Sequence, residues 1–89
     1  MSLTLDNLKL AVRGAIKSNA TYFGVLIYNE FNEQEELIIN TTKNMIEGKL
    51  NYYWTAYNDD LTLKTQSKII IRGFSFANNV EEIRKDLSY

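Results

Sequence analysis

Apolar residues recur three or four positions apart at the start of the chain, at Leu5, Leu8, Val12 and Ile16. That period lines one side of an α-helix. Thr4 stands where a side-chain oxygen can take up the first free N–H groups. Lys9, Arg13 and Lys17 repeat with the same period on a neighbouring stripe, and the helix is expected to fade at Ser18-Asn19. Residues 21–29 then read TYFGVLIYN, a run of β-branched and aromatic side chains. Alternation sends Phe23, Val25 and Ile27 to one side and Tyr22, Leu26 and Tyr28 to the other. Both sides are apolar, so this strand is expected at the centre of a sheet covered on both faces.

Glu30 to Gln34 reads as a polar turn and Glu35 to Asn40 as a second, shorter strand, together a hairpin. Thr41-Thr42 offers a cap for a long helix that runs to Asn58. With Ile46 at the centre of its inner side, a step of ~100° per residue puts Leu50, Tyr53 and Tyr57 within about 40° of it. Trp54 then lies about 80° to one side, and Tyr52 and Met45 about 100–120° to the other. Asn58-Asp59-Asp60 ends this helix, and Leu61 to Thr65 leaves room for a short extended piece. Lys68 to Phe76, KIIIRGFSF, is the second strong strand. Asn78 or Asn79 caps a last helix, with Glu81 or Glu82 at the capping-box position and Val80, Ile83 and Leu87 facing inward.

A hairpin followed by a helical crossover brings the third strand back beside the first. The expected fold is therefore α+β, a single domain over 1–89 with the order α-β-β-α-β-α. Its sheet is three-stranded and mainly antiparallel in the order 2-1-3, with a short extra strand allowed at 61–65.

Composition narrows what such a domain can do. The 89 residues are 45% apolar and 24% charged, the balance of a globular chain rather than a disordered one. They contain no histidine, no cysteine and no proline. Histidine is the side chain that titrates unperturbed near neutrality and the commonest metal ligand. Without it and without thiols, the usual zinc sites and Ser-His or Cys-His pairs are excluded. No metal, cofactor or catalytic residue is expected. No apolar run has the length of a membrane span and no charged-then-apolar leader pattern opens the sequence, so a cytoplasmic protein is expected. The abundance of Asn, Ile, Lys and Tyr is what an AT-rich genome produces, as in a low-GC bacterium or its phage.

Ten basic and eleven acidic residues leave a formal charge of −1, so no global field draws the chain to nucleic acid or membrane. Locally the charges separate. Lys9, Arg13 and Lys17 make a basic stripe able to meet phosphates or an acidic partner, while Glu30, Glu33, Glu35 and Glu36 crowd the hairpin. The acids lack the spacing of a calcium loop, and Asp59-Asp60 reads as a helix-ending turn rather than a carboxylate pair at work.

Arg72-Gly73-Phe74-Ser75-Phe76 resembles the ribonucleoprotein-1 motif of RNA-recognition domains, which runs basic, Gly, aromatic, Gly or Ala, aromatic. The resemblance implies that Phe74 and Phe76 stack bases while Arg72, on the same side of the strand, meets phosphate. The motif's last aromatic position is Asn79 here, and no strand follows the final helix. In the competing reading Phe74 and Phe76 are core residues packed under helices.

The second helix carries the strongest positive signal. Tyr52 to Trp54 brackets an arc of about 200°, twice the roughly 100° that a helix needs to lie on a sheet. Trp and Tyr anchor protein interfaces, so Trp54 and Tyr52 are the expected partner-binding residues. The function expected from the sequence is binding of another macromolecule, a protein or a second copy in a homodimer, without catalysis. The alternative is single-stranded nucleic-acid binding through Arg72, Phe74, Phe76, Lys9, Arg13 and Lys17. Protein purified without a metal-affinity step should show no stoichiometric zinc or iron by elemental analysis.

Overall fold

The computed structural model describes residues 3–89. Helix α1 spans Leu5–Lys17. Thr4 and Asn7 cap it reciprocally: Asn7 N–H donates to the Thr4 hydroxyl at 3.3 Å, and Thr4 N–H donates to the Asn7 side chain at 2.9 Å. Its last carbonyls are taken up by Ser18 and Ala20, around Asn19 in the left-handed region at φ 57°. Leu5, Leu8, Val12 and Ala15 are buried. Ile16, expected to face inward, is instead 49% exposed. Ala15 takes the inward place in that turn, and Ile16 lies ~100° further round the helix.

Strands β1 (Tyr22–Asn29) and β2 (Gln34–Thr41) form the hairpin. After the crossover come β3 (Thr62–Leu63) and β4 (Gln66–Ala77). The sheet is four-stranded, in the order β2-β1-β4-β3, with every pairing antiparallel. The expected three-strand core stands within it, and the short piece near 61–65 adds a fourth strand by turning directly into β4. Leu61, buried at the entry to β3, takes φ 70°, a backbone state that costs a bulky residue energy.

The central strand is covered on both faces. Phe23, Val25 and Ile27 lie opposite Phe76, Phe74 and Ile71 on one face, where α1 packs across β4. The other face carries Gly24 and Leu26 from β1 and receives α3 (Val80–Asp86), whose Ile83 is buried. The Asn79 side chain accepts from Glu82 N–H at 2.9 Å to start α3, and Ser75 donates to Asp86 at 2.8 Å to tie the helix to β4.

Helix α2 is continuous over 42–56 but not uniform. A first turn, Thr42–Asn44, leads into a wide π-turn, Met45–Lys49, before the α-helical Leu50–Ala56. The π-turn hydrogen-bonds five residues back, as Leu50 N–H does to the Met45 carbonyl. The inward positions therefore run Thr42, Met45, Leu50, Tyr53 and Tyr57, with a step of five where an α-helix takes three or four. Two expectations fall with that slip: Met45 is fully buried and Ile46 is 51% exposed. Tyr53 and Tyr57 are buried, as the pattern required.

Gly24 makes the seat for α3. A methyl group there would collide with the Ile83 side chain and sit 3.2 Å from Ile39 Cδ1. Gly24→Ala should destabilise the protein by about 1–3 kcal/mol, the usual cost of overpacking, measured as a lower urea midpoint with an unchanged slope.

Candidate functional site

Helices α1 and α2 leave a trough along their outer seam. One stretch of it, about 220 Å³, is lined by Lys9, Ile46, Leu50, Asn51 and Trp54. The next, about 530 Å³, includes Ile16, Thr42, Lys43 and Ile46. Ile46 borders both depressions. Trp54 is 40% exposed, and the Lys9 ammonium lies 5.0 Å from the centre of its ring. Such an exposed cation–π contact is worth about 0.5–1 kcal/mol and keeps the indole aligned with α1. Arg13 borders Lys9 on the outer side of α1, where Leu10 is also exposed. Lys17 is exposed in the last turn of the same helix.

Tyr52, 48% exposed, sits on the opposite side of α2 from this trough. The Lys49 ammonium is 5.1 Å from its ring centre. Its ring meets Tyr53 and Tyr57 edge-on, at 5.4 and 6.5 Å between centroids. It overlooks a second cleft of about 470 Å³ at the hairpin end of the sheet, floored by Ile27 and Ile69 and bordered by Glu35 and Glu36. The two shoulder residues thus serve two separate surfaces, one basic at its rim and one acidic.

The ribonucleoprotein-like residues are not brought together. The β1–β4 register shifts between Leu26 and Ile27, so that Gly73 and Ile71 find partners and Arg72 is the extra residue of a bulge. Arg72 turns to the face away from α1, where its guanidinium stacks 3.7 Å over the Tyr28 ring and lies 3.6 Å from Glu35. The expected placement of Arg72 on the same side as Phe74 and Phe76 is corrected by that bulge. Phe74 and Phe76 stay on the α1 face, partly buried, each stacked on Phe23 at 6.5 and 6.4 Å. The Phe76 ring lies under Gly14, 3.3 Å from where a methyl group would be.

The carboxylates stand apart from both troughs' floors. Asp60 accepts from the Thr62 hydroxyl and, at 3.1 Å, from its N–H, and these bonds hold its carboxyl below the usual range. The Asp59 carbonyl accepts from Leu5 N–H at 3.0 Å, so this turn anchors the start of α1. Among the described residues no cluster of three or more acidic side chains is arranged to hold a metal ion. No protein family, curated protein or solved structure matches the chain.

Sequence reasoning missed Ile16 and Ile46, the two aliphatic side chains that extend the Trp54 patch. Their exposure depends on Ala15 and on the π-turn. The one local signal was Gly48, a poor helix former in mid-helix, whose α-carbon faces open space.

Beneath the surface, Tyr53 carries a strain of its own. Its hydroxyl is buried without a hydrogen-bond partner. Burial, with Tyr57 and Tyr52 adding to it, pushes its pKa well above the ordinary value, and burial raises Tyr57 to about 12. Both phenols are therefore held neutral in the folded chain while the unfolded chain ionises near pH 10. Their contribution is intact below about pH 10 and lost as pH rises toward 12 and beyond, at about 1.4 kcal/mol per pH unit per tyrosine. Unfolding midpoints should fall steeply over that window, with phenolate absorbance from Tyr53 appearing only as the chain opens. Tyr53→Phe should raise stability by about 1 kcal/mol near neutral pH, since it removes an unpaired buried hydroxyl, and should flatten the alkaline decline.

Proposed function

We propose that this chain is a small non-enzymatic protein that works by binding another protein along the seam between α1 and α2. One observation carries the reading: Ile16, Ile46 and Trp54 are all exposed, and Ile46 borders both the depression that Ile16 lines and the one that Trp54 lines. Lys9 and Lys43 lie in the same trough, with Arg13 and Lys17 on the neighbouring turns of α1. Exposed aromatic and aliphatic side chains beside Lys9 and Lys43 suit an amphipathic partner segment with acidic flanks. Such a module acts as an accessory, inhibitor or adaptor, the kind of small factor that phages and mobile elements encode. The absence of histidine and cysteine supports a role without catalysis. No described helix is long and apolar enough to cross a membrane, which fits a partner other than the bilayer interior.

The nucleic-acid alternative has weaker support. Its basic stripe remains on α1, but its aromatic pair is stacked on Phe23 and its arginine is on the other face. Bases would lack a platform beside the charges.

Tagged protein from its native host, compared with an Ile46→Asp/Trp54→Ser variant, tests the proposal. Both side chains are solvent-facing, so the variant should keep its fold with a stability change within about 1 kcal/mol. A protein that co-purifies stoichiometrically with the wild type should be lost from the variant. Retention of that partner by the variant, or nucleic acid as the sole co-purifying species, would overturn the assignment.

A further inference from the structure

The two edges of the sheet are treated differently. At one, β3 has only two residues, and the chain just before it closes over them. Tyr57 bridges to Leu63, Asn58 N–H donates to the Thr62 carbonyl, and Lys64 N–H donates to the Ala56 carbonyl. At the other, β2 presents eight residues, regularly paired with β1 without a bulge. Thr42 N–H donates to the Thr21 carbonyl, which sets the phase of the ladder. Even-numbered residues of β2 bond to β1, so the N–H and C=O groups of Glu35, Leu37 and Ile39 point away from the sheet. A long edge with apolar side chains is a template for another strand.

We propose that β2 pairs with β2 of a second copy, antiparallel about a two-fold axis at Ile38, joining the two sheets into one of eight strands. This edge meets the helical trough only at Thr41, and the proposal does not rest on the partner reading given for that trough. The sequence of β2 is complementary to itself in this register. Leu37 meets Ile39 in a pair that exchanges backbone hydrogen bonds, and Ile38 meets its own copy. Those three side chains are half-buried in one chain, so pairing would cover their remaining apolar surface. The acidic first half of the strand meets the uncharged second half, Glu35 against Thr41 and Glu36 against Asn40. A parallel pairing in register would instead set Glu35 beside Glu35 and Glu36 beside Glu36, which like-charge repulsion disfavours. One strand pair is a small contact beside the roughly 1,600 Å² of a standard interface. The dimer should therefore form with rising concentration rather than persist on dilution.

Amide hydrogen exchange by NMR across a concentration series, with sedimentation equilibrium on the same samples, tests this directly. In the monomer the amides of Leu37 and Ile39 should exchange far faster than those of Ile38 and Asn40, which bond to β1. As the dimer forms, Leu37 and Ile39 should gain at least tenfold protection while the inward amides change little. Leu37→Pro removes an outward N–H without breaking the β1 ladder and should abolish dimerisation. Ile46→Asp/Trp54→Ser should leave it unchanged. A chain that stays monomeric up to millimolar concentration would overturn the proposal. So would a dimer in which Leu37 and Ile39 exchange as freely as in the monomer, whatever the folding of the Leu37→Pro variant.

Discussion

Everything in this fold answers to the burial of β1. Phe23, Gly24, Val25 and Leu26 are all buried although successive residues point to opposite faces, so both faces of the sheet need a cover. Three helices are present to supply it, and they are shared unequally. The face bearing Phe23 and Val25 takes α1 and the long α2, with Leu8, Val12, Met45 and Tyr53 reaching into one core. The face bearing Gly24 and Leu26 takes only the seven-residue α3.

That imbalance explains the small residues and the bulge. A short helix with one fully buried side chain, Ile83, must come close to the sheet to bury anything. Gly24 and Gly73 let it do so; Leu87 lies 3.0 Å from where a methyl group on Gly73 would stand. Beyond the reach of α3, the same face is closed by polar side chains that carry their own apolar bodies. Arg72, released from the ladder by the bulge, lies flat on Tyr28 and reaches Glu35. Lys68 reaches Glu30 at 3.8 Å with its ammonium 5.8 Å from the Phe31 ring centre. These exposed ion pairs add little stability individually, but the stems and rings beneath them keep water off the sheet.

The chain's surface chemistry follows from the same packing. Once α2 has spent Met45, Leu50, Tyr53 and Tyr57 on the core, its remaining bulky side chains have nowhere to go but outward: Ile46 and Trp54 to the seam with α1, Tyr52 to the cleft by the hairpin. Lys9 and Lys43 lie along the first surface, and Glu35 and Glu36 border the second. A chain of nearly zero net charge thereby presents two faces of opposite character, and a free strand edge runs beside the acidic one.

Much of this was written in local pattern. The helix at 5–17 follows from its three-and-four spacing and its Thr4 cap, the hairpin from two apolar runs around a polar turn. The central place of β1 follows from its two apolar sides. The absence of histidine and cysteine likewise removes imidazole and thiol side chains from its chemistry. Tertiary structure alone decided the phase of α2 and the side on which Arg72 emerges. A π-turn and a β-bulge each insert one residue into a regular repeat. Counting at a constant angle or a strict alternation is therefore right on one side of the insertion and off by one residue on the other. Each irregularity is the cheaper way to satisfy contacts made by residues far apart in sequence, Met45 and Tyr53 with the core in one case, Ile71 with Ile27 and Gly73 with Leu26 in the other. Local sequence carries the period of an element; where that period breaks is set by what the element must touch.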